Sequence, residues 1–312
     1  MIEVEKDGSL HGQVALVTGG ARGIGLAISR CLHSLGASVI VADSGVSIGG
    51  ETPDPTIAEA VARDLGDRAL AFSADIAVAE NASAAVAQAV NRFGAIDLVV
   101  NNAAILQDSL IFKGRPMSWD AVVRNNLSAA YYVLAAATPH LREQVKAGRA
   151  PGRIVNITSS AGLYGNFGQS AYASAKAGLL GLTRVVAMDM ARSGVTCNAV
   201  APFAATRVTD AIHPANPQQA QYKQRALKIS PGFVADFVAF LCGKDARDIS
   251  GQLFGVRGRE VFLFSQPRPV ERLVVSGEDP GALLPALFRE CFASKLTELQ
   301  TDLEAFNTEP VL

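Results

Sequence analysis

The stretch VALVTGGARGIGLAI, residues 14–28, decides the fold. An apolar run leads into a glycine-rich turn, and the turn leads into a helix-favouring run. Gly19, Gly23 and Gly25 give the turn the spacing G-x-x-x-G-x-G, and their missing side chains let backbone N–H groups and a helix N-terminus approach a pyrophosphate. A glycine turn often only permits tight packing, but its place between a first strand and a first helix favours a dinucleotide site.

Alternating strand-like and helix-like runs continue through most of the 312 residues. Strands that are apolar on both faces and alternate with helices predict a parallel sheet covered by helices on both sides. We therefore predict an α/β fold, a doubly wound Rossmann-type sheet of about seven strands, in a single domain at residues 10–262. The strands are expected at residues 14–18, 38–43, 68–75, 96–104, 152–160, 194–202 and 251–258, and the helices near 24–35, 54–65, 79–93, 118–146, 170–193 and 231–242.

Two segments depart from this alternation. Residues 43–55 form a Gly/Pro-rich loop after the second predicted strand. Residues 263–312 form a C-terminal extension, which either caps its own domain or packs on a neighbour. An amphipathic helix is predicted in this extension from the spacing of Leu284, Phe288, Phe292, Leu296, Leu299 and Leu303.

The composition excludes several classes of function. The chain is 49% hydrophobic, and its formal net charge of −1 provides no basic field for nucleic acid or an acidic membrane. The polar N-terminus has no apolar signal segment, and no uncharged apolar run reaches about 18 residues, so neither secretion nor a membrane span is expected. Four scattered cysteines fit a reducing cytoplasm, and four scattered histidines predict no metal site.

A second motif, IVNITSSAGLYGNFGQSAYASAKAGLLGLTR at residues 154–184, carries the groups for a reaction. Tyr172 and Lys176 are four residues apart in an Ala-rich helical stretch, so their side chains share one face. A phenol with a pKa near ~10 exchanges protons poorly at neutral pH, and an ammonium one turn away is expected to lower that pKa. With a hydroxyl such as that of Ser159 holding the substrate oxygen, the set suits reversible oxidation of a secondary alcohol to a ketone.

The ends of the predicted strands carry residues that would bind a hydride-accepting cofactor. Asp43 ends the second strand, where a carboxylate accepts hydrogen bonds from the ribose 2′-hydroxyl of NAD and repels the 2′-phosphate of NADP. Arg22, in the glycine turn, is the opposing indication, since it either contacts a 2′-phosphate or is a solvated charge. We expect exclusion at Asp43 to outweigh it, which favours NAD. Asp75 either accepts from the adenine amino group or is a solvated strand end, and Asn101 and Asn102 either brace the cleft or cap their strand.

These motifs together resemble the short-chain dehydrogenase/reductase family over residues 10–262. TGGARGIG matches the family's T-G-x-x-x-G-x-G turn, and NNAA at residues 101–104 matches its N-N-A-G with Ala104 replacing the glycine. YASAK matches Y-x-x-x-K, with Ser159 thirteen residues before Tyr172, as the family expects. Several ordered motifs agree at once, so the resemblance is specific.

The resemblance implies a role for each matching residue. Tyr172 would be the general acid/base, and Lys176 would lower its pKa and hold the nicotinamide ribose. Ser159 would orient the substrate oxygen. Asn126, in VVRNNLSAAYY, would hold a water in a proton relay behind Lys176.

Two of these assignments have a neighbouring rival. Ser160 could replace Ser159, although the spacing to the tyrosine favours Ser159. Asn125 could replace Asn126, although the match of N-L-S favours Asn126. The cofactor contacts that we expect are Thr18, Gly19, Arg22, Gly23, Ile24, Gly25, Asp43, Asp75, Ile76, Asn102, Tyr172, Lys176, Pro202 and Thr206.

The chain departs from the family after the sixth strand, where Phe203 follows Pro202 in place of the usual glycine. This variant, the insert at 43–55 and the lead-in KAGRAPGRIVN resemble the 3-hydroxyacyl-CoA dehydrogenase domain of peroxisomal multifunctional β-oxidation enzymes and bacterial hydroxysteroid or acyl-CoA relatives. The expected activity is NAD-dependent oxidation of a 3-hydroxyacyl-CoA or a similarly bulky secondary alcohol. The alternatives are an NADPH-dependent 3-oxoacyl-[acyl-carrier-protein] reductase, a hydroxysteroid dehydrogenase, and a scaffold without catalysis, which the retained tyrosine and lysine disfavour.

Residues 203–232 are predicted to form a lid over the substrate. Because family tetramers pack two long helices that correspond to 118–146 and 170–193, the resemblance also implies a homo-oligomer, a tetramer or dimer. Ordinary core-facing amphipathicity would explain the same apolar pattern. The basic lid residues meet either CoA phosphates or only water, the second being favoured: Arg207, Lys223, Arg225 and Lys228.

Overall fold

A sheet of eight strands organises the part of the chain that the computed structural model describes, residues 10–210, 214, 216–276 and 280–312. Its strand order is 3-2-1-4-5-6-7-8 in chain numbering, and all neighbours are parallel except the last pair. The strands are β1 (Val14–Thr18), β2 (Ser38–Ala42), β3 (Ala69–Phe72), β4 (Leu98–Asn101), β5 (Arg153–Ile157), β6 (Thr196–Phe203), β7 (Leu253–Arg257) and β8 (Glu260–Leu263).

The α-helices connect these strands and extend beyond the last one. Those up to the fifth strand are α1 (Gly23–Ser34), α2 (Thr56–Leu65), α3 (Ala79–Phe93), α4 (Pro116–Val123) and α5 (Ala129–Lys146). The later ones are α6 (Ala161–Tyr164), α7 (Ser170–Met190), α8 (Arg207–Asp210), α9 (Pro217–Ala226), α10 (Gly232–Cys242), α11 (Pro280–Cys291) and α12 (Asp302–Ala305).

Helices cover both faces of the sheet. Along β1, Ala15 and Val17 belong to one buried apolar cluster, while Val14 and Leu16 belong to another. Successive strand residues point to opposite faces, so β1 is apolar throughout because it is buried on both sides. The first cluster includes residues of α1 and α10, and the second includes residues of α3, α5 and α7. The predicted doubly wound α/β fold is confirmed.

Three elements differ from the prediction. An eighth strand, β8, pairs antiparallel with β7 across a turn at Gly258, whose φ is +59°. The single helix predicted at 118–146 is α4 and α5 joined by a π-helical turn, Arg124–Ser128. The C-terminal helix is shorter than its apolar pattern predicts, because α11 ends at Cys291 and the backbone is extended at Leu296.

The end of the chain folds back onto the β7–β8 hairpin. Arg257 is 5% exposed and donates from Nη1 to the carbonyl oxygen of Phe306 at 2.8 Å and from Nη2 to Thr308 Oγ1 at 2.9 Å. Glu260 holds the same guanidinium, with Oε2 at 2.8 Å from Nε. The ring of Phe306 packs against Phe203, with centroids 4.6 Å apart. This clamp caps the domain beside the carboxyl end of β6.

Other bulk features concern the described residues alone. None of their helices is long and apolar enough to cross a membrane. They contain no group of three or more His, Cys, Asp or Glu side chains that could hold a metal ion. Among these residues the four cysteines form no disulfide bond.

Candidate active site

A cleft of about 750 Å³ lies at the carboxyl ends of the parallel strands. The strand order reverses between β1 and β4, and ligands of open α/β sheets bind at such a switch point. Residues of the glycine turn and the end of β2 line one part of this cleft, and Ser159, Tyr172 and Lys176 line another. One continuous cavity therefore brings together the two halves of the predicted site.

The turn between β1 and α1 depends on two glycines in left-handed backbone. Gly19 has φ +60° and Gly23 has φ +53°. A Cβ on Gly19 would lie 2.9 Å from Ala103 Cα, so only glycine fits there. The residues of the turn that line the cleft are Gly19, Arg22, Gly23 and Ile24.

Two residues predicted as cofactor contacts lie behind the turn instead. Thr18 is 1% exposed, and its Oγ1 accepts from the backbone N–H groups of Asn102 at 2.9 Å and Ala103 at 3.1 Å. Gly25 is needed because a Cβ would lie 2.0 Å from the carbonyl oxygen of Gly19. Asn102 lines the cleft and braces the turn, donating from Nδ2 to the carbonyl oxygens of Thr18 at 3.0 Å and Gly19 at 3.1 Å. Thr18 and Gly25 thus shape the turn and do not line the cleft.

Asp43 and Arg22 form an ion pair on the cleft wall. Arg22 Nη2 lies 2.9 Å from Asp43 Oδ1, and Nη1 donates to the carbonyl oxygen of Gly45 at 3.2 Å. Asp43 is 8% exposed and also accepts from the backbone N–H groups of Ala21 at 3.2 Å and Gly45 at 2.9 Å. The sequence suggests opposing roles for the two side chains, but the structure pairs them, so each offsets the charge of the other.

Asp75 and Ile76 line the cleft beyond β3. Asp75 Oδ1 accepts from the backbone N–H of Ala77 at 2.9 Å, and its Oδ2 lies 3.3 Å from Arg124 Nη2. Ile76 is 8% exposed and provides an apolar surface. Asp75 is therefore neither a simple solvated strand end nor a lone carboxylate.

Tyr172 and Lys176 lie on one face of α7, as their spacing predicts. Lys176 Nζ lies 5.8 Å from the centroid of the Tyr172 ring and donates to the carbonyl oxygen of Ile157 at 2.7 Å. The lysine is only 2% exposed. Ser159, which follows β5, hydrogen-bonds with Tyr172 through its side chain and accepts from the backbone N–H of Ala161 at 3.2 Å. The three predicted reactive residues are therefore together.

Burial shifts both titratable groups of this set. Desolvation raises the pKa of Tyr172 to about 12, the hydrogen bond with Ser159 opposes the shift, and the charges of Asp108 and Asp302 add to it. Desolvation lowers the pKa of Lys176 to about 8. The pKa of the Tyr172 phenol is thus raised and not lowered as its spacing from Lys176 predicts, and burial is the largest cause. Tyr172 is protonated at neutral pH.

Asn126 lies in the π-helical turn, and its side chain supports a loop. It is 2% exposed, its Oδ1 accepts from the backbone N–H of Ile105 at 2.8 Å, and its Nδ2 donates to the Ile105 carbonyl oxygen at 2.9 Å. Both ends of the amide bind the Ile105 backbone, so the side chain fixes the loop after β4; the proton relay through Asn126 stays a prediction. Its neighbour Asn125 lines the cleft and donates to the carbonyl oxygen of Ala121 at 2.9 Å. Such π turns are frequent at functional sites.

The end of β6 borders the cleft through Pro202 and Thr206. A Cβ on Gly23 would lie 3.5 Å from Thr206 Cγ2, so this threonine lies over the glycine turn. Phe203, where the chain departs from the family pattern, is 5% exposed and packs on Phe306. The departure therefore serves the packing of the C-terminal segment.

Part of the segment predicted as a lid lines the cleft, and its residues 211–213 and 215 lie outside the described residues. Arg225 is expected from the sequence to contact CoA phosphates or water, but it binds the C-terminal segment. Its Nε lies 2.6 Å from Glu309 Oε1, and its Nη1 lies 2.8 Å from Asn307 Oδ1. It binds the C-terminal segment to α9. The residues of α8 and α9 that line the cleft are Arg207, Val208, Thr209, Gln219, Tyr222 and Ala226.

Asp302 is a cleft residue that the local sequence gives no reason to select. Its Oδ2 accepts from Ser160 Oγ at 2.8 Å across a separation of 142 residues. Burial raises the pKa of Asp302, and the hydrogen bond from Ser160 and nearby backbone amides oppose the shift. Ser160 is thus bonded to the C-terminal segment, whereas Ser159 acts on the Tyr172 phenol; the choice of Ser159 as the catalytic serine stays a prediction.

The cleft fits a dinucleotide at the end where the sequence predicts one. Gly19 and Gly23 leave a backbone surface without side chains, beside the acceptor oxygens of Asp43. The volume of about 750 Å³ lies within the range of roughly 300–1,000 Å³ that is usual for ligand pockets. Tyr172 and Lys176 line the same cavity, so a ligand that extends from the turn reaches them.

Comparison with known proteins identifies the family. The family model described as short chain dehydrogenase matches residues 13–220. A hydroxyacyl-CoA dehydrogenase of Mycobacterium tuberculosis is 36% identical over 291 residues, which cover 92% of this chain and 90% of the relative. A 3-oxoacyl-[acyl-carrier-protein] reductase of Synechocystis sp. is 38% identical over 257 residues, which cover 82% of this chain and 99% of the relative.

A solved structure agrees with these matches. The crystal structure of a short chain dehydrogenase from Mycobacterium avium superposes with a TM-score of 0.76 at 32% identity, covering 90% of this chain and 94% of that one. The family match includes the glycine turn, Asp43, Ser159, Tyr172 and Lys176. The chain therefore belongs to the short-chain dehydrogenase/reductase family of nicotinamide-dependent oxidoreductases.

Proposed function

We propose that this enzyme interconverts a 3-hydroxyacyl thioester and the corresponding 3-oxoacyl thioester, with NAD as the hydride carrier. The observation that carries the proposal is the single cleft shared by the glycine turn, Asp43 and the set of Ser159, Tyr172 and Lys176. The names of the relatives from Mycobacterium tuberculosis and Synechocystis support an acyl substrate, since one is a hydroxyacyl-CoA dehydrogenase and the other a 3-oxoacyl-[acyl-carrier-protein] reductase.

The ion pair at the end of β2 supports NAD over NADP. The Asp43 carboxylate already neutralises Arg22 at 2.9 Å, so the arginine is a weak attractor for a 2′-phosphate. A phosphate entering there would meet a nearly buried carboxylate, whereas a ribose hydroxyl would donate to it.

The proton steps belong to Tyr172, Ser159 and Lys176. When bound, the nicotinamide ring supplies the hydride donor or acceptor. With a pKa of about 12, Tyr172 carries its proton at neutral pH and donates it to the substrate oxygen during reduction. In oxidation Tyr172 must first release its own proton to solvent through the cleft, and the resulting phenolate then accepts the proton of the substrate hydroxyl; the Lys176 ammonium stabilises that phenolate electrostatically. Ser159, bonded to the phenol, orients the substrate oxygen.

The second candidate is an NADPH-dependent 3-oxoacyl-[acyl-carrier-protein] reductase. The relative from Synechocystis favours it, being 38% identical and covered over 99% of its length. Arg207 also favours it, because this exposed cation lines the cleft near Arg22 and Asp43, where a positive charge attracts the 2′-phosphate of NADPH. Burial lowers the pKa of Arg207, the charge of Arg22 lowers it further, and the charge of Asp43 raises it.

Initial rates of the purified full chain separate the two candidates. We expect oxidation of 3-hydroxybutyryl-CoA with NAD at a kcat/KM at least about tenfold above that with NADP. Reduction of an acetoacetyl thioester that runs far faster with NADPH than with NADH would instead select the reductase. Oxidation of steroid or small cyclic alcohols without turnover of any acyl thioester would contradict both.

We further propose a homo-oligomer, a tetramer or dimer, in a reducing cytoplasm. Helices α5 and α7 expose Tyr131 by 56%, Val185 by 49% and Met188 by 68%, which supports their use as an interface. The four cysteines form no disulfide bond among the described residues, which supports a reducing cytoplasm. Light scattering should give two or four times the mass of one chain, and the mass of a single chain would contradict the oligomer.

A further inference from the structure

The C-terminal segment brings into the cleft a carboxyl group that the proton steps above do not use. Asp302 lines the cleft and is 6% exposed. Its Oδ2 accepts from Ser160 Oγ at 2.8 Å, whereas its Oδ1 is shielded from water and has no partner in hydrogen-bonding geometry among the described residues. The backbone amides of Asp302 and Leu303 lie near enough to lower the pKa of the carboxyl group, but they do not satisfy Oδ1 geometrically. Buried acceptors without a donor are uncommon and cost free energy. This orphaned oxygen points to a ligand group that satisfies it.

Asp302 lies at the end of the cleft where the substrate reacts. Its charge acts on Tyr172 from α7 and on Tyr222 from α9, and burial together with that charge raises the pKa of each phenol. Its partner Ser160 directly follows Ser159, which bonds with the reactive phenol. The group therefore lies beside the reacting centre and near Tyr222 of α9.

The surrounding contacts fix this position. Phe306 packs on Phe203 four residues after Asp302, and Arg257 donates to the Phe306 carbonyl oxygen at 2.8 Å. Thr301 caps α12 by accepting from the backbone N–H of Glu304. Asp302 therefore belongs to a packed element that is held on both sides.

The chemistry of a carboxyl group limits the ligand that it can bind. The unpaired oxygen Oδ1 requires a hydrogen-bond donor from the ligand. The Asp302 carboxyl group can accept that bond whether or not it is protonated, because a carboxylic acid keeps its carbonyl oxygen. The reacting hydroxyl of the substrate is already engaged by Tyr172 and Ser159. In a thioester of CoA or of an acyl carrier protein, the next donors along the chain are the amide N–H groups of the pantetheine arm that both carriers share.

We propose that Asp302 is a specificity residue that accepts a hydrogen bond from an amide N–H of the pantetheine arm of the acyl thioester. The inference rests on the proposed function and extends it to the carrier side of the substrate. The C-terminal extension then has a role in substrate selection as well as in packing.

Two substrates that differ only in the arm test this inference in the full-length enzyme. The first is the N-acetylcysteamine thioester of 3-hydroxybutyrate, which carries one amide of the arm without CoA or carrier protein. The second is the S-ethyl thioester, which has no amide. We expect kcat/KM of the wild-type enzyme to favour the first by about tenfold or more, and Asp302→Ala to reduce that preference by about 10- to 100-fold, mainly through KM.

Matched variants separate recognition from packing. Asp302→Asn keeps an acceptor oxygen of the same shape, so it should recover most of the preference. Glu298→Ala, an exposed acid of the same extension, should leave the preference unchanged. In Asp302→Ala, kcat/KM for the CoA thioester should fall by as much as kcat/KM for the N-acetylcysteamine thioester, because Asp302 binds the amide that both substrates carry.

Three results would overturn the inference. Equal losses on both thioesters would mean that Asp302 acts through Ser160 or through packing. Equal kcat/KM of the wild-type enzyme on the two thioesters would also overturn the inference, and this result does not depend on whether Asp302→Ala folds. If the wild-type enzyme turned over neither thioester nor 3-hydroxybutyryl-CoA, the proposed function itself would fail and the inference with it. Turnover of both thioesters with no effect of Asp302→Ala on the preference would remove the inference alone.

Discussion

At the scale of the residue, burial governs the reactive pair on α7. Lys176 is 2% exposed, and its pKa lies at about 8 where a lysine ordinarily has 10.5. Folding therefore opposes its charged form, at a cost on the order of 3 kcal/mol below pH 8. Between about pH 8 and 10.5 the unfolded chain binds this proton more strongly than the folded one, so the Lys176 contribution to stability rises with pH.

A lysine variant tests this cost. Lys176→Met should be more stable than wild type at pH 7 by about 1–3 kcal/mol, once the lost hydrogen bond to Ile157 is counted, although it abolishes turnover. The advantage should disappear by about pH 10, as seen by urea unfolding at several pH values. The exposed Lys228→Met is the control and should show no such trend. A difference that stayed constant with pH would contradict the burial of a charged lysine.

The Arg22–Asp43 pair makes a second prediction at this scale. Asp43→Asn keeps the shape and one acceptor oxygen but removes the charge, which frees the Arg22 guanidinium to meet a 2′-phosphate. We expect the ratio of kcat/KM for NADP over NAD to rise by about 10- to 100-fold. Asp43→Asn combined with Arg22→Ala should lose that gain. If the ratio did not move, Asp43 would not select the cofactor.

At the scale of the element, the π-helical turn holds the loop after β4 through one side chain. Asn126→Ala removes both hydrogen bonds to Ile105 and leaves a buried backbone N–H and carbonyl oxygen unpaired. The free energy of unfolding should fall by about 2–4 kcal/mol and kcat should fall as well. Asn125→Ala, which removes one bond to Ala121, should be milder in thermal and urea unfolding. Equal effects would contradict the special role of Asn126.

The C-terminal clamp is the second element with a testable role. Arg257→Ala removes the donors to Phe306 and Thr308, so the segment 302–312 should become accessible to proteases and the thioester KM should rise. The exposed neighbour Arg259→Ala keeps the backbone bond to Val311 and serves as the control. Limited proteolysis followed by mass spectrometry measures the release. A wild-type cleavage pattern for Arg257→Ala would show that packing of Phe306 alone holds the segment.

Local patterns predict the elements whose causes are local. The seven parallel strands follow from runs that are apolar on both faces, and Tyr172 and Lys176 share a face because helices place residues four apart together. The π turn was not predicted, and the bond that its Asn126 side chain makes to Ile105 spans 21 residues, which local patterns do not show. The inward position of Asp302 accompanies its bond from Ser160 and the bond from Arg257 to Phe306, whose donors are distant in sequence.

At the scale of the whole molecule, the strand order produces the site. The reversal between β1 and β4 brings the glycine turn beside the end of β5, so the cofactor half and the reactive half open into one cleft. The sequence predicted both halves because each has its own motif. It could not predict how the cleft is closed, because α9 and the C-terminal segment meet only in the folded chain, through Arg225 and Glu309.

The most direct test of Tyr172 as the general acid/base is the rate of NAD reduction with 3-hydroxybutyryl-CoA by the wild-type enzyme and by Tyr172→Phe. The variant loses only the phenolic oxygen, so NAD binding and thermal stability should persist, and both are measured alongside. We predict that kcat falls by at least about 100-fold, the usual contribution of a general acid/base. Undiminished turnover by Tyr172→Phe would contradict the role of Tyr172 as the general acid/base.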